Sequence, residues 1–550
     1  MPFLIDRKTA LVLEHNPPAC VRMAAQSLAT DILHLVGAQP RILTGPVARA
    51  PAGAILIQTE GREVPLAERR ESFHRETVSL SGGKLLRIRG TDPLGTVFGI
   101  YDLSREALGV DPFSFWTGHA PQQQSRISVP DATRRPARPH VRYRGWFVNG
   151  EDCLIGWTKT YPPPKRIWRA VYETILRCGG NLVCPGTDLP RDGGHIPLAA
   201  SMGLVLTHHH AEPLGAEFFA RAFPRLAPHY DRHSRLFLKL YREAIERQRG
   251  FDVVWTLGFR GAGDRPFWLD DPRYRTARAR GKLLSRVLRD QYELVSSLVR
   301  NPVFCTNLYG EMVELYQAGL LDIPEDVILV WGDNGYGAMV SRRMGGHDPR
   351  HSALPDPRDR HRRHGVYYHV NFHDLQASNQ LAMLQVPDLI ARELARAVSR
   401  GADDLLIVNS GNVRPHVLPL ELVMELADRP PARGGEKGWA DRVCRAFARR
   451  HFGGSARAAE DACRRYFRTL WRTSRYPDAR AGDELYHHAS RAIASACLAR
   501  RTDEACPELL WARAGADFRA QLRWFRRRAA ASRRAWDGLL RDVERVEAEL

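Results

Sequence analysis

The sequence has no apolar run long enough to cross a bilayer, no CxxC pair and no low-complexity tract. For so basic a chain it also has almost no lysine, seven among 81 Lys and Arg. A membrane-spanning helix needs about 20 consecutive apolar residues, so none is expected. The nine cysteines are odd in number and unclustered, which predicts reduced thiols rather than a disulfide framework or a zinc site. The start MPFLIDRKTALVLEH lacks the basic, apolar and small-residue segments of a secretory signal, so a cytoplasmic location is expected. The formal charge of +19 invites a nucleic-acid reading, because clustered cations neutralise phosphates. The arginines are instead spread along the whole chain, so no nucleic-acid partner is expected; an acidic polysaccharide would be favoured by the same field.

What is present is a long α/β pattern. A chain of 550 residues exceeds one hydrophobic core and predicts about three domains. Residues 1–132 mix strand-like runs (ALVLE, AILIQ, KLLRIRG) with helical stretches at Val21 to Val36 and GTVFGIYDLSREALGV, a small α/β layer. The Pro- and Arg-rich VPDATRRPARPH reads as a linker. Over 133–430 eight strand-like runs alternate with amphipathic helical stretches: VRYRGWFV, NLVCPG, LVLTHH, DVVWTLGF, VFCTNLY, DVILVWGD, GVYYHVNF and DLLIVNSG. Eight strand-helix repeats in that length predict a (β/α)8 TIM barrel. Residues 431–550 carry apolar residues at helical spacing only, an all-α domain.

In such a barrel the active site lies at the C-terminal ends of the strands, and polar residues crowd there. Strand 1 ends in Glu151 and Asp152, strand 3 in His208, His209, His210 and Glu212, strand 4 in Arg260 and Asp264, and strand 5 in Tyr309 and Glu311. Strands 6 to 8 deliver Asp333 and Asn334, then Tyr367, His369 and Asn371, then Asn409 and Asn412. Several carboxylates without a cofactor fingerprint suit glycoside hydrolysis, where one protonates the leaving oxygen and another activates water or attacks the sugar. Asp264, Glu311 and Asp333 are the candidates, unranked by spacing. Each has a plainer alternative: an ion pair of Asp264 with Arg260, a helix-dipole contact of Glu311, and a turn at Asp333. The triple histidine tempts a metal assignment, but His208 and His210 share a strand face that His209 does not, and no further ligand completes a tetrahedral set. No metal is expected; hydrogen bonds to sugar hydroxyls are.

The same strand ends resemble glycoside hydrolase family 115 from about residue 55 to 427. RGWFVNGED resembles that family's RGIFINDED, THHHAEP its TSHHEP, TLGFRGAGD its TIGMRGDGD, GVYYHVNF its GVYYHFDY and VNSGNVRP its VNVGDLKP; NLYGEMVELYQAGLLDIPEDVILVWGDN has a counterpart too. The resemblance implies cofactor-free, inverting hydrolysis of an α-1,2-linked (4-O-methyl-)glucuronic acid from xylan. It implies Glu311 as general acid, Asp264 as base, Asp333 as an essential carboxylate, and Arg260, His369 and one of His208, His209 or His210 on the uronate. Departures stand at Ala262, Asn334, Gly335, Asn371, Phe372 and Asn412, where amides replace several carboxylates and so keep shape but lose charge. No C-terminal β-sandwich of the kind usual in the family is expected within the helical residues 431–550.

The expectation is therefore an intracellular α-glucuronidase-like glycosidase acting on uronic-acid-bearing oligosaccharides, with no cofactor, no nucleic-acid or membrane partner, and a homodimer as the oligomeric option. A glycosidase of other sugar specificity and a degenerate sugar-binding protein are the rivals.

Overall fold

The computed structural model describes the chain except residues 1, 47–49, 62–63, 81, 120, 132, 150–162, 188–193, 262–265, 270, 342–350, 360, 372, 375–377, 380–382, 384, 412, 471–489, 502–504, 506–515 and 550. It divides into two compact units, Met1–Phe267 with Asp290–Phe304, and Trp268–Arg289 with Cys305–Leu550.

The first unit opens with β1 (Phe3–Ile5), β2 (Leu11–Leu13), α1 (Ala19–Val36), β3 (Ile42–Thr44), β4 (Ile55–Thr59), β5 (Phe73–Leu80), β6 (Gly83–Gly90), α2 (Pro93–Glu106) and β7 (Ile127–Val129). Five of these strands form one sheet in the order β3-β2-β4-β6-β5, parallel except for the β5–β6 hairpin. β5, at the edge of the sheet, escapes a reading by hydrophobic runs because FHRETVSL places four polar residues in a row between Phe73 and Val78. Asp92 caps α2 by accepting from the Gly95 N–H at 2.8 Å, the usual device for satisfying an orphan helix donor. The Pro- and Arg-rich segment is pinned by backbone bonds between Arg134 and Arg75. Both guanidinium groups meet Asp102.

The same unit continues with β8 (Tyr143–Phe147), α3 (Lys165–Arg177), β9 (Leu182–Cys184), α4 (His195–Ser201), β10 (Val205–Leu206), α5 (Tyr230–Gln248) and β11 (Val254–Leu257). α3 buries Ile167, Trp168, Val171, Tyr172, Ile175 and Leu176, an i, i+1, i+4, i+5 stripe that faces the strands.

After α6 (Ala277–Leu298) come β12 (Val303–Leu308), α7 (Glu311–Gln317), β13 (Ile328–Gly332), β14 (His364–His369), β15 (His373–Asp374), β16 (Ser378–Asn379), α8 (Pro387–Val398), β17 (Leu405–Asn409) and α9 (Val417–Asp428). The eight parallel strands follow the order β10-β9-β8-β17-β14-β13-β12-β11, and a parallel bridge from Leu206 to Val253 joins the two ends of that order. This is a (β/α)8 barrel, with all eight strands where the alternating runs predict them. Fully buried runs such as VWTL, VFCTNL and ILVWG are the composition of strands covered on both faces.

The C-terminal region is helical: α10 (Glu436–Phe452), α11 (Ala456–Thr469) and α12 (Phe518–Glu549). Leu470, Tyr466, Phe467 and Trp536 pack on Val386 and Leu389 at the start of α8, so this region is seated on the barrel helix that follows β14. Among the described residues no helix is long and apolar enough to cross a membrane.

Candidate active site

The residues past β10 show how local geometry changes a role. The strand ends at Leu206, so strict alternation lapses before the histidines. His208 turns inward, its Nε2 2.9 Å from the Gln248 Oε1 of α5 and its ring tilted against Trp255. Gly215, at φ +70, allows that approach: a Cβ there would lie 2.7 Å from the His208 Cδ2. Burial pushes the imidazole down to about 4, so it is neutral near pH 7 and cannot serve as a cation for a carboxylate. His209 stacks on Phe147 of β8 with centroids 4.7 Å apart, and its ring lies 3.9 Å from that of His210. The expected pairing of His208 with His210 is therefore corrected: His209 and His210 are the neighbours. Glu212, half-buried, donates its N–H to the His209 carbonyl at 3.0 Å.

At the end of β11, Gln291 of α6 clamps Gly258 from both sides, accepting its N–H at 2.9 Å and donating to its carbonyl at 2.8 Å. Phe259 then packs among Tyr230, Phe237 and Phe267. Arg260 follows, half-buried, just before Gly261 at φ +89. Asp264 lies outside the described residues, as do Glu151, Asp152 and Asn412.

In the second unit four consecutive strands build one polar cluster. Asp333, one residue past β13, is 1% exposed. Its Oδ2 accepts the Gly337 N–H at 2.6 Å, and its Oδ1 meets the His369 Nδ1 at 2.5 Å and the His369 backbone N–H at 3.3 Å. The parallel register that aligns Gly332 with Tyr367 is what brings residue 333 beside residue 369. Tyr367 and His369, two apart on β14, share a face, and their rings lie 4.8 Å apart. Asn409 of β17, in register with His369, donates from Nδ2 to the Tyr367 hydroxyl at 2.6 Å. Tyr309, just past β12, sits 5.9 Å from both rings. It needs Gly332, where a Cβ would lie 2.6 Å from the Tyr309 Cδ2.

Gly310 next to Tyr309 adopts φ 58, ψ −123, a backbone region open to glycine and strained for other residues. That turn makes Glu311 the first residue of α7; its side chain is outside the described set. Asn334 is fully buried, with Oδ1 accepting from the Tyr336 and Ala338 N–H groups. The Asn371 Oδ1 accepts from Gly411 at 3.3 Å. The structure thus gives Asn334 a turn-forming role and Asp333 a role in holding His369 and the 333–337 loop.

With this geometry in place, the model of glycosyl hydrolase family 115 matches residues 136–476. The chain belongs to that family. A solved structure described as a family 115 4-O-methyl-alpha-glucuronidase with specificity for decorated arabinogalactans aligns over 99% of this chain and 77% of its own, at 21% identity and TM-score 0.72. A family 138 enzyme targeting pectin rhamnogalacturonan II aligns over 84% of this chain and 55% of its own, at 12% identity and TM-score 0.52. At these identities the two show a shared fold. A search of curated proteins found no match.

As a family 115 member the protein is a glycoside hydrolase, and its substrate is a carbohydrate. Among the described residues no group of three or more metal-ligating side chains forms a site. Tyr367 and Asn409 prove integral to the cluster around His369. Their signal in the sequence is position alone: each lies at or near the last residue of a barrel strand.

Proposed function

We propose that this family 115 hydrolase removes an α-linked glucuronic acid, with or without a 4-O-methyl group, from an oligosaccharide, with inversion. Glu311 is the general acid and Asp264 the base that activates water. An inverting pair stands about 6.5 to 9.5 Å apart to leave room for that water. Arg260 is the group suited to grip the uronate, since a guanidinium offers paired donors to a carboxylate. Asp333 is better read as a positioning residue. Its bond to the His369 Nδ1 sets the tautomer and the ring plane, so that His369 addresses the sugar through Nε2.

The observation that carries the reading is the Asp333–His369–Tyr367–Asn409 network, built from three adjacent strands beside Tyr309 and the turn into Glu311. The α-glucuronidase named for the structural relative supplies the sugar. The test is NMR of glucuronic-acid-substituted xylo-oligosaccharides incubated with the protein and with Glu311→Gln. The unmodified enzyme should release the β-anomer first. Glu311→Gln should lose about 10²- to 10⁴-fold in rate on natural leaving groups. No uronic acid released, or initial release of the α-anomer, overturns the substrate or the stereochemistry respectively.

A glycosidase of different specificity is the second reading. It is favoured by the amides at 334 and 371, which accept backbone N–H bonds without adding the negative charge that a carboxylate would bring beside the sugar.

A further inference from the structure

In the first unit a cleft of about 410 Å³, whose lining includes none of the candidate strand-end residues, runs along one face of α3, between it, the second half of α1 and the segment around residues 110–121. Its size falls within the range of small-ligand sites, roughly 300 to 1,000 Å³. The floor is a closed charge lattice. Arg177 bonds both Asp31 and Glu173, and Glu173 also accepts from the Ser27 hydroxyl at 2.9 Å. These groups are satisfied by one another.

The walls are different. Arg166 and Arg169 line the cleft one turn apart, and neither makes a hydrogen bond or ion pair among the described residues. His34 lines the α1 side and is exposed. At the edge the ring of Phe115 is 45% exposed, although the Trp116 beside it is 1% exposed and tied through Nε1 to the Thr174 hydroxyl at 2.9 Å. The buried neighbour fixes the segment while leaving the Phe115 ring turned outward.

Two guanidinium groups with no partner among the described residues, lining the same cleft as an exposed aromatic ring, match one ligand chemistry. The aromatic face takes the C–H face of a sugar, and the guanidinium groups take a carboxylate in paired geometry. We propose that this cleft is a second saccharide-binding site, distinct from the strand-end site, that takes a uronic acid unit of the substrate glycan. The choice of a sugar acid rests on the glucuronidase reading above. Such a site would hold an acidic chain to the enzyme through a unit other than the one being cleaved.

Hydrogen–deuterium exchange on the full chain carrying Glu311→Gln tests it. The probes are glucuronic-acid-substituted xylotriose and plain xylotriose. The acidic probe should protect residues 30–34, 112–121 and 166–177, and plain xylotriose should not. In Arg166→Ala/Arg169→Ala the concentration needed for that protection should rise about tenfold or more, as expected for loss of charged hydrogen bonds. Phe115→Ala, at an exposed position, should weaken protection without lowering the melting temperature. No protection of these segments, equal protection by the neutral probe, or protection unchanged in the double variant overturns the proposal. Uronic acid release by the unmodified enzyme is scored separately. Release without protection sinks the second site alone, and protection without release sinks the glucuronidase reading alone.

Discussion

Two regions place histidines just past or at the ends of barrel strands, and they use them oppositely. After β10, His208 is locked against a neutral Gln248 and Trp255, and burial drives it to the uncharged form. On β14, His369 is just as enclosed, at 2% exposure, yet it faces the carboxylate of Asp333. The partner, a neutral amide for one and a carboxylate for the other, is what separates the two imidazoles, not the residue type or the depth.

That contrast can be broken most forcefully at Asp333. Asp333→Ala leaves the Gly337 N–H and the His369 ring without their acceptor in a dry site, so it should cost about 3 kcal/mol in chemical denaturation and abolish most activity. Asp333→Asn should retain much of the stability but still lose activity and alter its pH profile. Full activity in Asp333→Asn would show that the charge beside His369 is not needed.

His208→Ala sharpens the other side. It should destabilise by about 2 kcal/mol through the cavity and the orphaned Gln248, with KM nearly unchanged in the folded fraction. His369→Ala should do the reverse, changing kcat or KM more than stability. A large KM effect at His208 would return it to the substrate-binding set.

Gly332→Ala is subtler. The added Cβ meets the Tyr309 ring, so kcat/KM should fall with a stability cost of about 1 to 2 kcal/mol. The smallest effect is in the pH dependence of stability. Burial lowers both His195 and His208 to about 4, below the value of about 6.5 in an unfolded chain. The unfolded chain therefore binds more protons between those values, so stability is full above about pH 6.5 and falls as the pH drops toward 4. Melting curves across that window should show the fall, and His208→Gln should flatten part of it.

The barrel strands were legible because strands buried on both faces must be nearly continuous apolar runs, which read directly from letters such as VFCTNL and ILVWG. The β5 edge strand was not, since four consecutive polar residues, His74 to Thr77, leave it neither an apolar run nor an alternating pattern. Glu311 was legible as a carboxylate past the end of strand 5, where a helix-dipole contact was its plainer alternative. The inward turn of His208 was not, because it depends on Gln248 forty residues away and on a glycine at 215 that makes space for the ring.

The sequence by itself determined the periodicity, and with it the eight-stranded barrel, its flanking α/β and helical regions, and the set of polar residues at the strand ends. Local pattern suffices for that, because burial on one or two faces is written into neighbouring residues. Only the tertiary structure decided which of those residues act together. The contacts of Asp333 with His369, of Asn409 with Tyr367 and of Gly332 with Tyr309 arise from the register between strands far apart in the chain, and no short stretch of sequence carries that register.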